Sequence, residues 1–181
     1  MPALIPAPLL ASALAMTVVV VSSNYLVQLP INDWLTWGAL TYPVAFLVTD
    51  VTNRLHGPAM ARKVVYVGLA LAVILSMVLA SPRIALASGS AFLCAQLLDV
   101  QVFNRLRDRV WWLPPFASTV LGSLLDTALF FSLAFAGEDL PWVTWALGDL
   151  GVKLAMGLVL VAPFRAAVSL AMGRAGAVPT R

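Results

Sequence analysis

Five ionisable residues stand inside long apolar stretches of this sequence: Asp50, Asp99, Asp126, Asp149 and Lys153. A charge near the centre of a bilayer costs roughly 2.5–3.5 kcal/mol on insertion scales, so each must face protein or water and marks a candidate polar pathway. Their neighbours recur at helical spacing. Tyr42, Phe46, Asp50 and Arg54 follow one another every four residues, so on a helix an aromatic wall leads down one face to a carboxylate. Gln96 and Asp99 are three apart, with Ser88 and Ala95 on the same general face. Pro115, Ser118, Gly122 and Asp126 line three turns, with Thr119 and Ser123 beside them; small residues allow close helix packing, and their hydroxyls can bond across helices. Asp149 and Lys153 sit at i and i+4, acid first, the favourable order for an intrahelical pair. Such a pair is either a functional site or only lowers the cost of insertion.

The elements that hold these residues follow from hydropathy. The chain is 61% hydrophobic and 10% charged, against about 45–50% and about 25% in soluble domains. Apolar runs fall at 8–29, 37–53, 64–81, 85–104, 115–136 and 142–164, separated by Pro, Gly and most of the charge. The expected fold is all-α and integral to the membrane, with six transmembrane helices. They form one transmembrane domain over 1–164, and a short basic cytoplasmic tail over 165–181, rich in Ala, Gly and Arg, is expected to be disordered. No Lys or Arg precedes the first run, which is longer than the apolar part of a signal peptide, so it reads as a retained helix. One set of alternate loops holds Arg54, Arg62, Lys63, Arg105, Arg107, Arg109, Arg165, Arg174 and Arg181, while the other holds only Arg83 among Asp33, Glu138 and Asp139. By the positive-inside rule both termini face the cytoplasm. The six tryptophans, paired at 34/37, 111/112 and 142/145, form an aromatic belt at span ends.

Several classes drop out. A single cysteine, Cys94, and a single histidine, His56, supply neither a zinc site nor a disulfide framework, and no metal or cofactor is expected. The net charge of +3 is spread over short loops, which leaves no nucleic-acid footprint. The lysines Lys63 and Lys153 follow Arg62 and Val152, so no phosphate-binding G-x-x-x-x-G-K loop exists. Gly148-Asp149 nearly matches the G-x-G-D motif of intramembrane aspartyl proteases, but the first glycine is Ala146, no Tyr-Asp pair occurs, and Lys153 would hold Asp149 ionised. The chain is not expected to be an enzyme. Asp50 to Leu55 and Asp99 to Leu106 share an Asp-Val start and an Asn-Arg-Leu end, although the spacing differs by two residues, so a parallel duplication stays open.

The stretch FLVTDVTNRLHGPAMARK from Phe46 to Lys63 resembles the second-helix signature of the bacterial queuosine precursor transporters, also called the vitamin uptake transporter family. AQLLDVQVFNRLRDRVWWLPPFASTVLGSLLDT from Ala95 to Thr127 and LGDLGVK at 147–153 are similar to the same family, so the resemblance covers most of the chain from Thr41 to Pro163. It implies a multi-pass importer in the bacterial inner membrane for 7-deazaguanine precursors of queuosine, the 7-cyano and 7-aminomethyl compounds. Carried over, Thr49, Asp50 and Arg54 match the second helix; Gln96, Asp99, Asn104 and Arg105 the fourth; Ser118, Thr119 and Asp126 the fifth; Asp149 and Lys153 the sixth. The chain departs from the family between the third and fourth helices, where only Ser81 to Ala85 stands in place of a longer external segment, and at Asn53.

A guanine-like edge offers two adjacent N–H donors that one carboxylate accepts together, and an amide such as Gln96 both donates and accepts. Tyr42 and Phe46 offer rings for stacking. The expected substrate-binding set is therefore Tyr42, Phe46, Asp50, Gln96, Asp99, Ser118 and Asp126, with Asp50, Gln96, Asp99 and Asp126 lining one midplane pocket. Asp149 and Lys153 form an ion pair or a coupling pair. Expected partners are the deazaguanine and the lipid bilayer, with no nucleic acid; a homodimer is open and an ATPase partner is not expected. The competing reading is a substrate-binding membrane subunit of an energy-coupling-factor type vitamin importer. Facilitated diffusion and proton symport both remain as driving mechanisms.

Overall fold

The computed structural model describes residues 7–176. Among them the chain forms eight helices: α1 (Ala7–Leu26), α2 (Trp37–Thr41), α3 (Val44–His56), α4 (Pro58–Leu79), α5 (Pro82–Leu106), α6 (Leu113–Phe135), α7 (Trp142–Val159) and α8 (Val161–Gly176). Among the described residues there is no sheet, only an isolated bridge between Pro30 and Thr36. In lipid every backbone polar group must be satisfied within its own segment, which an apolar sequence does by forming helices. Five of them, α1, α4, α5, α6 and α7, are long and apolar enough to cross a membrane. The outward face of α4 shows why water is not their solvent: Val67, Leu71, Ile74, Leu75 and Val78 are all exposed, at helical spacing. The protein is a multi-pass membrane protein.

Three boundaries differ from expectation. The second apolar run is not one helix but α2 followed by α3, broken at Tyr42 and Pro43. Proline has no N–H to give to the preceding turn, so the bond that would carry a helix through this point is missing. The last run ends at Leu160, and α8 then carries helix through the region expected to be a tail, as far as Gly176. Its Ala, Leu and Met residues are strong helix formers, which low mean hydropathy conceals. Residues 177–181, Arg181 among them, lie outside the described residues. Helix α4 also starts earlier than the third apolar run, at Pro58, directly after Gly57, whose φ of 82° ends α3 in a conformation that favours glycine.

Two apolar clusters hold the helices together. Met16, Val20, Phe46, Val64, Val65, Ala72, Phe92 and Ala95 join α1, α3, α4 and α5. Val27, Ile84, Phe130, Phe131, Phe135 and Trp145 close the other end of the bundle. There the segment between α1 and α2 folds onto α7: Trp145 Nε1 donates to the Asn32 carbonyl at 3.2 Å, and Thr144 Oγ1 donates to that of Asp33. Arg83 at the start of α5 pairs with Glu138 and donates to the carbonyls of Leu133, within the end of α6, and Ala136, just beyond it. At the opposite end Arg107 donates to the carbonyls of Asn53 and Arg54, while Arg54 donates to that of Arg107. Cations there meet the negative ends of α3 and α5.

Candidate functional site

The site grows from three successive contacts between α3 and α6, which run antiparallel. Tyr42, just before α3, donates its hydroxyl to Asp126 Oδ1 at 2.7 Å. One turn on, the Phe46 ring lies over Gly122; a Cβ there would come within 2.6 Å of Phe46 Cε1. A further turn on, Ser118 Oγ donates to Asp50 Oδ1 at 3.3 Å. Residues four apart share a helix face, so Tyr42/Asp126, Phe46/Gly122 and Asp50/Ser118 stack as rungs of a ladder. Two polar rungs flank an apolar one.

Around the first rung, Lys153 Nζ lies 2.7 Å from Asp126 Oδ2, 2.5 Å from Asp149 Oδ2 and 3.1 Å from Thr127 Oγ1. An ammonium has three N–H donors, and all three are used. Thr127 in turn donates to Asp149 at 2.8 Å, and the Tyr42 ring lies 4.7 Å from the ammonium, within cation–π range. The group is buried; Lys153 is 2% exposed. Charges in such a place persist only when fully paired and hydrogen-bonded. Asp126, Asp149, Lys153 and Tyr42 share the wall of a cavity with Ser23, Asn24, Gly38, Ser88 and Phe130, about 280 Å³ of unfilled space with its mouth included. Its interior is narrow, wide enough for water but not for a purine-sized ring.

On the far side of Phe46 the polar groups are less well satisfied. Gln96 Oε1 accepts from Thr49 Oγ1 at 2.6 Å, but its Nε2 has no partner, nor does either oxygen of Asp99. Both residues are 0% exposed. Asp99 faces Asp50 and Ser118. A buried polar atom left unpaired costs about 1–3 kcal/mol, so three together on one turn of α5 mark a place built for something other than packing. A second small cavity, lined by Asp50, Thr119, Pro115, Gly157 and Phe164, opens beside Asp50.

The expected midplane pocket is thus two groups. Asp126 belongs with Asp149 and Lys153, and it is separated by Phe46 from Asp50, Gln96, Asp99 and Ser118. Asp149 and Lys153 do pair as their spacing implied, but Lys153 also reaches across to α6. Three participants had drawn no attention: Thr127, which bridges the ion group, and Ser23 and Asn24, which bring α1 to the cavity wall. A polar pair at the end of an otherwise apolar run was the available signal. At the arginine-rich end it is Arg107, not the motif residue Arg105, that closes α3.

The family described as "Putative vitamin uptake transporter" matches residues 36–81 and 75–168. The queuosine precursor transporter of Escherichia coli strain K12 is 38% identical, with 80% of this chain and 79% of that protein aligned. The probable queuosine precursor transporter of Haemophilus influenzae is also 38% identical over the same shares, and that of Bacillus subtilis strain 168 is 32% identical over 68% of this chain and 67% of its own. The chain belongs to the vitamin uptake transporter family. No solved structure matches it. Every residue of the ladder, of the ion group and of the unpaired seam lies within the matched residues, whereas α1 lies before them. The two matches meet at 75–81, where α4 and α5 are joined by only Ala80 and Ser81. The vitamin uptake family is one of transporters rather than enzymes, which removes the aspartyl protease reading of Asp149.

Proposed function

We propose that this chain imports the 7-cyano and 7-aminomethyl 7-deazaguanine precursors of queuosine across the bacterial inner membrane, for use in tRNA modification. The observation that carries this reading is its 38% identity, over four fifths of its length, to proteins named as queuosine precursor transporters. The chain crosses the bilayer six times, α2 and α3 together making the second crossing, with both termini in the cytoplasm. The distribution of charge supports that topology: Arg54, Arg107 and Arg165 gather at one end of the bundle, and Arg83 pairs with Glu138 at the other.

The substrate's guanine-like edge is complementary to the unpaired seam. Its two adjacent N–H groups suit the two free oxygens of Asp99, its carbonyl suits Gln96 Nε2, and Phe46 covers the ring face. The described arrangement is closed around these atoms, so cargo binds when helices separate about the ladder and the transporter alternates between open forms. The ion group on α6 and α7 holds its own polar atoms and serves as the fixed wall of the path.

The decisive experiment supplies each precursor separately to a host that lacks both precursor synthesis and its own importer, then measures queuosine in tRNA. Restoration is expected with the intact chain and is lost with Asp99→Asn at normal membrane expression. No restoration by the intact chain with either precursor rejects the reading. Uptake by the purified chain alone in liposomes separates a self-sufficient importer from a binding subunit that needs an ATPase.

A further inference from the structure

Helix α5 carries an unpaired polar atom into each of the two polar chambers. Gln96 Nε2 stands in the seam, and Ser88 Oγ lies on the wall of the cavity beside the ion group, on a residue only 2% exposed. Ser88 precedes Gln96 by eight residues, an axial distance of about 12 Å on a helix. Ser118 and Asp126 on α6 are separated by the same step, with Gly122 and the Phe46 ring half-way along it. A bicyclic base that sets its guanine edge in the seam and points its 7-substituent along the bundle, with a hydrogen bond of about 2.9 Å at each end, covers such a distance. The second chamber is thus within reach of the other end of the cargo.

That chamber holds one more negative group than positive. Asp126 and Asp149 supply two carboxylates to its wall and Lys153 one ammonium, with no other charged side chain among the described lining residues. The arginines stand at the ends of the bundle, Arg83 on Glu138 at one, and Arg54, Arg107 and Arg165 at the other. What the wall has left to offer is acceptors. Both contacts that Asp149 receives, from Thr127 and Lys153, fall on Oδ2, so Oδ1 keeps its capacity. Asn24 spends an amide N–H on Ser76 at 2.9 Å, and no described donor reaches its Oδ1. Lys153, with its three N–H groups used, has none to spare. A water-sized cavity with spare acceptors and an uncompensated carboxylate suits a small cation that carries N–H donors of its own.

We propose that this chamber is the subsite for a cationic 7-substituent: the aminomethyl group of the cargo enters it as an ammonium and donates to Asp149 Oδ1 and Ser88 Oγ, while the guanine edge stays on Asp99 and Gln96. The ring lies along Phe46, between the two. The ammonium compensates the surplus carboxylate. A cyano group brings neither charge nor donor, so the chamber favours the aminomethyl precursor over the cyano one. This inference rests on the proposed binding of deazaguanines at the seam.

The test uses the full chain in liposomes and measures uptake of each labelled precursor, with unlabelled 7-aminomethyl- and 7-hydroxymethyl-7-deazaguanine as competitors. The hydroxymethyl compound matches the aminomethyl one in size but carries no charge. In the wild type the aminomethyl compound is expected to compete at a concentration about tenfold below the hydroxymethyl one. Asp149→Asn leaves Lys153 and Asp126 paired one to one, and it is expected to bring the two competitors together. Asp149→Glu, which keeps the charge, restores the order, and Ser88→Ala narrows the gap. Melting curves of the purified variants check that each folds. Equal competition in the wild type overturns the subsite, as does an unchanged gap in Asp149→Asn or, should that variant not fold, in Ser88→Ala. If the intact chain takes up neither precursor, the cargo reading fails and the subsite with it, whereas uptake without preference for the ammonium removes the subsite alone.

Discussion

Lys153 of α7 ties that helix to Asp126 and Thr127 of α6. Its ammonium uses its three N–H groups on Asp126, Asp149 and Thr127, so its removal leaves two carboxylates buried against each other. Breaking a buried ion group by deleting one partner costs about 3–5 kcal/mol. Lys153→Met is therefore expected to lower the melting temperature of the purified protein sharply, and adding Asp126→Asn and Asp149→Asn is expected to recover most of the loss. A single substitution that leaves melting unchanged would show that the group is solvated. Gln96→Met belongs to the same scale: it keeps most of the buried volume and removes a donor with no partner, while Thr49 Oγ1 keeps its bond to the Ala45 carbonyl, so stability should fall by only about 1 kcal/mol while the KM for cargo rises about tenfold. The i, i+4 spacing made the bond between Asp149 and Lys153 legible. The bond from Lys153 to Asp126 was not, because residues on different helices meet only once packing sets their rotation. For the same reason four polar residues that each face inward read as one pocket, when the aromatic ring between them makes two.

At the scale of elements, the ladder between α3 and α6 depends on how closely the two helices approach. Gly122 leaves room for the Phe46 ring, and a methyl group there would sit 2.6 Å from Cε1. Gly122→Ala should displace the ring and cost about 1–3 kcal/mol by overpacking, with Phe46→Leu in the same chain relieving much of it; thermal melts of the single and double variants check this. Equal losses in both would mean that α5, not Phe46, limits the approach. Most helices were visible in hydropathy, because lipid leaves an apolar segment no other way to satisfy its backbone. Pro43 hid the break between α2 and α3, since proline is common inside membrane helices and does not by itself say where one ends. The extent of α8 was concealed by its Gly and Arg content, which lowers hydropathy without forbidding a helix.

At the scale of the whole molecule, the two ends of the bundle differ in charge, and that difference predicts sidedness. With Cys94 replaced, a single cysteine at Glu138 should react with a membrane-impermeant maleimide added outside the cell, whereas one at Arg109 should react only after the membrane is opened. Reversed labelling would invert the topology and place the arginine-rich end outside. The proposed orientation rests on loop composition alone, whereas the proposed cargo path depends on contacts between helices far apart in the chain. Those contacts include the Phe46 rung, which places an apolar ring between two polar chambers and interrupts any file of water molecules that would otherwise join them. Protons hop readily along such a file and stop where it is cut. A cell could therefore keep many idle copies of this protein in its energised membrane without short-circuiting the current that powers everything else.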